Sequence, residues 1–167
     1  MKVLAFFLAA LMIISLPSCK GEDKLPSCKE ILYEMMESEI GLPAGNVYYM
    51  HANEGDDGYL SDYLIYALYG DGEKPVMADG WLDLAVFLPS SAHPCEMAVF
   101  LCDGEDTATD TARMLCRRLD VVRAVKHTPE YANYFESATV TVIRNYVLLV
   151  VSSDTENAIR VASKIIG

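Results

Sequence analysis

Two unbroken apolar runs, each followed by a polar break and a helical stripe, set the reading of the chain. "EMAVFLC" at 96–102 precedes a stretch from 106 to 125 in which Ala108, Ala112, Leu115, Leu119 and Val122 recur at intervals of three and four, the spacing of one buried helix face. Its acids Glu105, Asp106 and Asp110 stand at the start, and Arg117, Arg118, Arg123 and Lys126 at the end, as the helix dipole favours. "YVLLVVS" at 146–152 precedes Ser153 and Glu156, which read as the cap of a last helix running to Ile166. Each run also has a strand-like partner before it. "WLDLAVFL" at 81–88 is separated from the first by "PSSAHP", and "SATVTVI" at 137–143 from the second by Arg144-Asn145. Both pairs read as hairpins, and Thr128-Pro129 starts a short turn of helix between the two units.

Ahead of these units, Ser27 and Glu30 form an S-x-x-E capping box that opens a helix to about Glu39, ending at Gly41. Ile31, Leu32, Met35 and Met36 are its buried stripe. "NVYYM" at 46–50 reads as a short strand, "HANEGDDGY" as an acidic loop, and the segment from about Tyr59 to Tyr69 as a second helix closed by Gly70. The order predicts an α+β fold: a mostly antiparallel four-stranded sheet from two strand-strand-helix units, with helices packed on one face. Alternation is weak in 96–102 and 146–151, so these are expected to be central strands covered on both faces. The two N-terminal helices would supply the second cover.

The first residues carry a different pattern. Lys2 is followed by the apolar run "VLAFFLAALMIISL", of signal-peptide length and short of the roughly 20 residues that a membrane span needs. Leu-Pro-Ser-Cys occurs twice, at 16–19 and 25–28. Cys28 follows the polar "KGEDK", whereas Cys19 follows the apolar run with Ser18 before it and Leu16 three before it. That arrangement resembles the lipobox of bacterial lipoproteins, with Pro17 as its departure. The expected layout is a signal peptide at 1–18, a tether at 19–26 and one α+β domain at 27–167. The resemblance implies acyl chains on Cys19, anchoring at a membrane and an extracytoplasmic location.

Loss of the signal removes Lys2 and leaves 12 Lys and Arg against 24 Asp and Glu, a charge of about −12. Such a chain is a poor candidate for nucleic acid, whose phosphates demand a basic surface. Cys28, Cys95, Cys102 and Cys116 allow three disulfide pairings, but Cys95 and Cys102 on one extended strand would lie roughly 23 Å apart, too far to bridge. Free buried thiols are the other reading. His93, Cys95 and Cys102 lack the ligand spacing of a zinc site, and "NEGDDG" at 53–58 lacks the ordered ligands of a calcium loop. No metal or cofactor is expected.

The segment from Gly80 to Gly167, with "DLAVF", "EMAVFLC", "ARMLCRRLDVVR" and "ESATVTVIRNYVLLVVSSD", resembles a family of uncharacterised lipoproteins of Gram-positive bacteria that carry a domain of unknown function. The resemblance implies an exported lipoprotein and brings no activity. His51, His93 and His127 stand in no recognisable nucleophile motif, so the hydrolase alternative is a site assembled around His93 and Cys95 or a serine. The tyrosines are the most unusual feature. Six of ten fall between 48 and 69, and on the second helix Tyr59, Tyr63, Tyr66 and Tyr69 gather opposite Leu60, Leu64, Ala67 and Leu68. Together with the 51–58 loop they form the candidate binding face, suited to an envelope protein, a peptide or a glycan. The leading expectation is thus a non-enzymatic binding or interaction module; a structural subunit of an envelope complex is the third class.

Overall fold

A computed structural model describes residues 25–70, 79–125 and 129–167 of the chain. Five strands form one antiparallel sheet: β1 (Gly45–Tyr49), β2 (Trp81–Pro89), β3 (Glu96–Cys102), β4 (Thr139–Ile143) and β5 (Tyr146–Val151), in the order β1-β2-β3-β5-β4. The helices are α1 (Cys28–Glu37), α2 (Asp62–Tyr69), α3 (Glu105–Ala124), α4 (Ala132–Ser137) and α5 (Thr155–Ile166), with a short 3-10 turn at Pro129–Tyr131 before α4.

The α+β class and both hairpins follow the apolar pattern, while the four-strand expectation falls one short. β1 adds a fifth strand along the outer edge of β2, in a register running from Gly45↔Pro89 to Tyr49↔Ala85. Gly45 makes the approach possible, since a Cβ there would lie 2.4 Å from the Leu88 carbonyl oxygen and 2.5 Å from the Phe87 ring.

The helices do not share a face. α1 and α5 pack on one side over Ala85, Phe87, Met97, Val99, Leu148 and Val150, whereas α2 and α3 cover Leu84, Val86, Ala98, Phe100, Leu149 and Val151 on the other. The two strand-strand-helix units are alike in order but send their helices to opposite sides. β3 and β4 run parallel with β5 between them, so α3 is a crossover that spans β3, β5 and β4. It occupies that face, and α5 completes the other beside α1. All residues of β3 and β5 are consequently buried, which explains their lack of alternation.

Local signals explain the helix ends. Ser27 and Glu30 make the reciprocal capping box of α1. α5 is capped not by Ser153 but by Asp154, whose carboxylate accepts the Asn157 N–H at 3.2 Å. Ser153 instead donates its N–H and hydroxyl to Glu39, beyond the end of α1. This bond, with Asn157 Nδ2 donating to the Ser38 carbonyl at 3.0 Å, ties the end of α1 to the start of α5. α2 begins at Asp62, three residues later than the tyrosine spacing suggests, because Ser61 accepts the Leu64 N–H and fixes the start.

Candidate binding site

The late start of α2 redistributes the tyrosines. Tyr59 precedes the helix and sits beside β1 through a parallel bridge to Tyr49. Within α2 the inward stripe is Leu64, Ile65, Leu68 and Tyr69. Tyr69 therefore leaves the expected face: only 7% exposed, it packs edge-on against Phe100 with ring centroids 5.5 Å apart. Tyr63 is 79% exposed and Tyr66 37%, so these two remain on the outer side of the helix. β1 divides the other pair by strand alternation. Tyr48 turns towards the α2 and α3 side, and Tyr49 towards α1, where the Lys29 ammonium lies 3.8 Å from its ring centroid.

The structure places Tyr59 beside the 51–58 loop and two residues of β1. Asn46, Tyr48, Asp56, Asp57, Gly58 and Tyr59 line an open cleft of about 440 Å³. The loop is held in shape by Asp56, which accepts from the backbone N–H and the side-chain amide of Asn53 at 3.2 and 3.0 Å. It is pinned to β1 by the Tyr49 N–H, which donates to the Gly58 carbonyl at 3.0 Å. Gly58 has φ +92°, and a Cβ there would lie 2.7 Å from the Val47 carbonyl oxygen; both requirements select glycine. Tyrosine rings beside carboxylates and an amide can stack on an apolar ring face and accept or donate hydrogen bonds around it. Tyr63 and Tyr66 lie outside this cleft.

The His93 and Cys95 pairing does not make a nucleophile. His93 Nδ1 accepts the Cys95 backbone N–H at 3.1 Å, and its ring meets Tyr131 and Tyr134 at 4.8 and 5.1 Å. The Cys95 thiol is 1% exposed; burial, with the charges of Glu39 and Glu96, pushes it up to about 12. A thiol nucleophile needs the opposite shift. Burial also lowers the His93 imidazole, partly offset by Glu130. Cys102 faces Thr111, 3.6 Å away, and is also buried. Cys28, Cys95, Cys102 and Cys116 are all free thiols. Among the described residues no group of three or more His, Cys, Asp or Glu is placed to hold a metal ion.

Cys28 is an integral part of the fold. It is fully buried; its N–H donates to Asp83 Oδ2 at 2.7 Å, and the preceding Pro26 carbonyl accepts the Tyr146 hydroxyl at 2.6 Å. Burial, and then the Asp83 carboxylate, push its thiol far above the ordinary range. Cys19 lies outside the described residues.

Several buried charges escaped the sequence reading. Asp83, Glu96 and Glu39 are at most 9% exposed. Glu96 forms a bidentate pair with Arg118, with Nη2 to Oε2 at 2.6 Å. A single acid inside an otherwise apolar strand, as in "WLDLAVFL" and "EMAVFLC", is the available signal. Among the described residues no helix is long and apolar enough to cross a membrane. Comparison of the chain with family models, curated proteins and solved structures finds no match.

Proposed function

We propose that this chain is a lipid-anchored binding module on the extracytoplasmic face of a bacterial envelope, held through Cys19, with no catalytic role of its own. It presents the Tyr48 and Tyr59 cleft and the neighbouring Tyr63 and Tyr66 surface to an envelope protein, peptide or glycan. The observation that carries this reading is the burial of Cys28. Of the two Leu-Pro-Ser-Cys motifs, the second is committed to the core by its bond to Asp83, and an acyl chain on that sulfur would displace α1 from the sheet. That supports Cys19 as the attachment point. The buried, protonated Cys95 thiol supports a binding role over thiol-based hydrolysis.

The test is membrane partitioning and intact mass of the native protein beside Cys19→Ala. The expected result is a membrane-bound wild type whose mass starts at Cys19 plus acyl chains, and a Cys19→Ala protein without them. Membrane attachment that persists in Cys19→Ala would refute the anchor. For the surface, a glycan and peptide array should show ligands lost with Tyr59→Ser and Tyr63→Ser while the thermal midpoint stays nearly constant, because exposed side chains contribute within about 0.5 kcal/mol.

A further inference from the structure

On the opposite side of the molecule from α1, the C-terminal half of α3 lies between α2 and the β2–β3 hairpin and leaves two hollows that share Arg118 and Val121. One, about 180 Å³, is bounded by Leu68, Tyr69, Met114 and Arg117; the other, about 320 Å³, by Leu88, Pro94, Val122 and Val125. The second is at the lower end of the size range of small-molecule sites. Val121 and Val125 are 58% and 57% exposed at the rim.

We propose that these hollows bind a small carboxylic acid with an apolar tail, the carboxylate meeting Arg118 and the Tyr69 hydroxyl and the tail lying over Val121 towards Val125.

One polar group here has bonding capacity that the fold leaves unused, and it lies beside a guanidinium that is only partly engaged by its ion pair. The pairing with Glu96 engages Nε and Nη2 of Arg118, and Nη1 takes no part in it. The Tyr69 hydroxyl is buried with no hydrogen-bond partner, a condition that native structures seldom tolerate without a reason. It lies close enough to the ion pair to feel both charges; burial, reinforced by Glu96 and opposed by Arg118, raises it well above its ordinary value. The hydroxyl therefore keeps its proton and can donate.

Charge selects the headgroup. Glu96 is matched by Arg118, and Arg117 adds a second guanidinium at the first hollow, so the local balance is positive on a chain of net charge −11. An ammonium headgroup would meet two cations; a carboxylate accepts from both. The remaining lining is mainly apolar, which suits a hydrocarbon tail and gives it an area to remove from water.

Calorimetric titration of the mature protein with octanoate, octylamine and octanol tests this. Octanoate should bind saturably, at least tenfold more tightly than either control. Tyr69→Phe, which keeps the ring on Phe100 and removes only the hydroxyl, should weaken octanoate by about tenfold without lowering the thermal midpoint. Arg117→Gln should weaken it less. Absence of saturable octanoate binding at millimolar concentration, equal binding of octylamine, or an unchanged affinity in Tyr69→Phe would each overturn the proposal.

Discussion

Arg118→Ala should destabilise the protein more than Glu96→Ala, although both remove the same ion pair. The Glu96 side chain is 4% exposed and that of Arg118 21%. Removing the arginine leaves a carboxylate that is 4% exposed at the start of a central strand with its counter-ion gone, a loss of about 3–5 kcal/mol. Removing the glutamate leaves a guanidinium at the rim of two hollows, on a long stem that can swing its charge outward; about 1–2 kcal/mol is expected, near the worth of a charge-assisted hydrogen bond. Replacing both by Met should cost little or even stabilise, because neither charge is then stranded. Urea unfolding at pH 7 measures this through Trp81, the sole tryptophan, which is 7% exposed and packs on Phe100 at 4.9 Å. With a slope of about 2 kcal/mol per molar urea, the midpoint should fall by about 1.5–2.5 M for Arg118→Ala and about 0.5–1 M for Glu96→Ala. Equal losses, or a larger one for Glu96→Ala, would show that the carboxylate is not stranded and that burial does not govern the pair.

Thiol reactivity should divide the four described cysteines. Cys116 is exposed while Cys28, Cys95 and Cys102 are buried, so an aromatic disulfide reagent should label one thiol quickly and the other three only after unfolding; rapid labelling of two or more native thiols would contradict the packing. Asp154→Ala removes the cap of α5 and should cost about 1 kcal/mol by the same urea assay, against a negligible change for a substitution at the exposed Glu156, so equal effects would return the cap to Ser153. Alkaline pH should destabilise through the buried thiols and Tyr146. The folded values of Cys95, raised from 9.0, and Tyr146, raised from 10.0, are both about 12, chiefly from burial, so the unfolded chain loses these protons first. Their stabilisation is complete below about pH 9 and is lost as pH rises towards 12; Cys95→Ala should flatten that fall, and an identical slope would show that the thiol does not contribute.

The strands and the major helices were legible because their signals are local. An apolar run bounded by turn residues and a stripe at three and four define β2, β3, β5 and α3 with their ends almost unchanged. The face each helix takes was not legible. Sequence order makes the units ending in α3 and α5 look equivalent, but the position of β5 between β3 and β4 determines that α3 crosses over one side, and that is a long-range pairing. β1 reads as a strand, but its place on the edge of β2 rests on the close approach of Gly45 to Leu88, a contact between distant segments that no local pattern encodes.

The candidate site was legible in part for the same reason. A helix whose start is misplaced by three residues still shows the same stripe, but residues before the true start leave the wheel. Ser61 was the signal to use: a serine followed three residues on by Leu64, whose N–H it accepts, places the start at Asp62 and makes Tyr59 a loop residue. Ile65 and Tyr69, four apart, then fall on one inward stripe, and Tyr69 enters the core beside Phe100. Its hydroxyl comes near Glu96 and Arg118 there, without a hydrogen bond to either, because α2, β3 and α3 converge at that point. No spacing within one element encodes such a meeting. What sequence does offer is the residue out of character with its neighbours: Glu96 before "MAVFLC" and Asp83 within "WLDLAVFL". An acid at an inward position of a central strand must find a partner from another element. Asp83 finds the N–H of Cys28 and so fixes α1 on the sheet; Glu96 finds Arg118 and so fixes α3. Such misfit residues are the points at which sequence alone can anticipate tertiary contacts, and the two hollows beside α3 lie next to the pair by which Glu96 holds that helix.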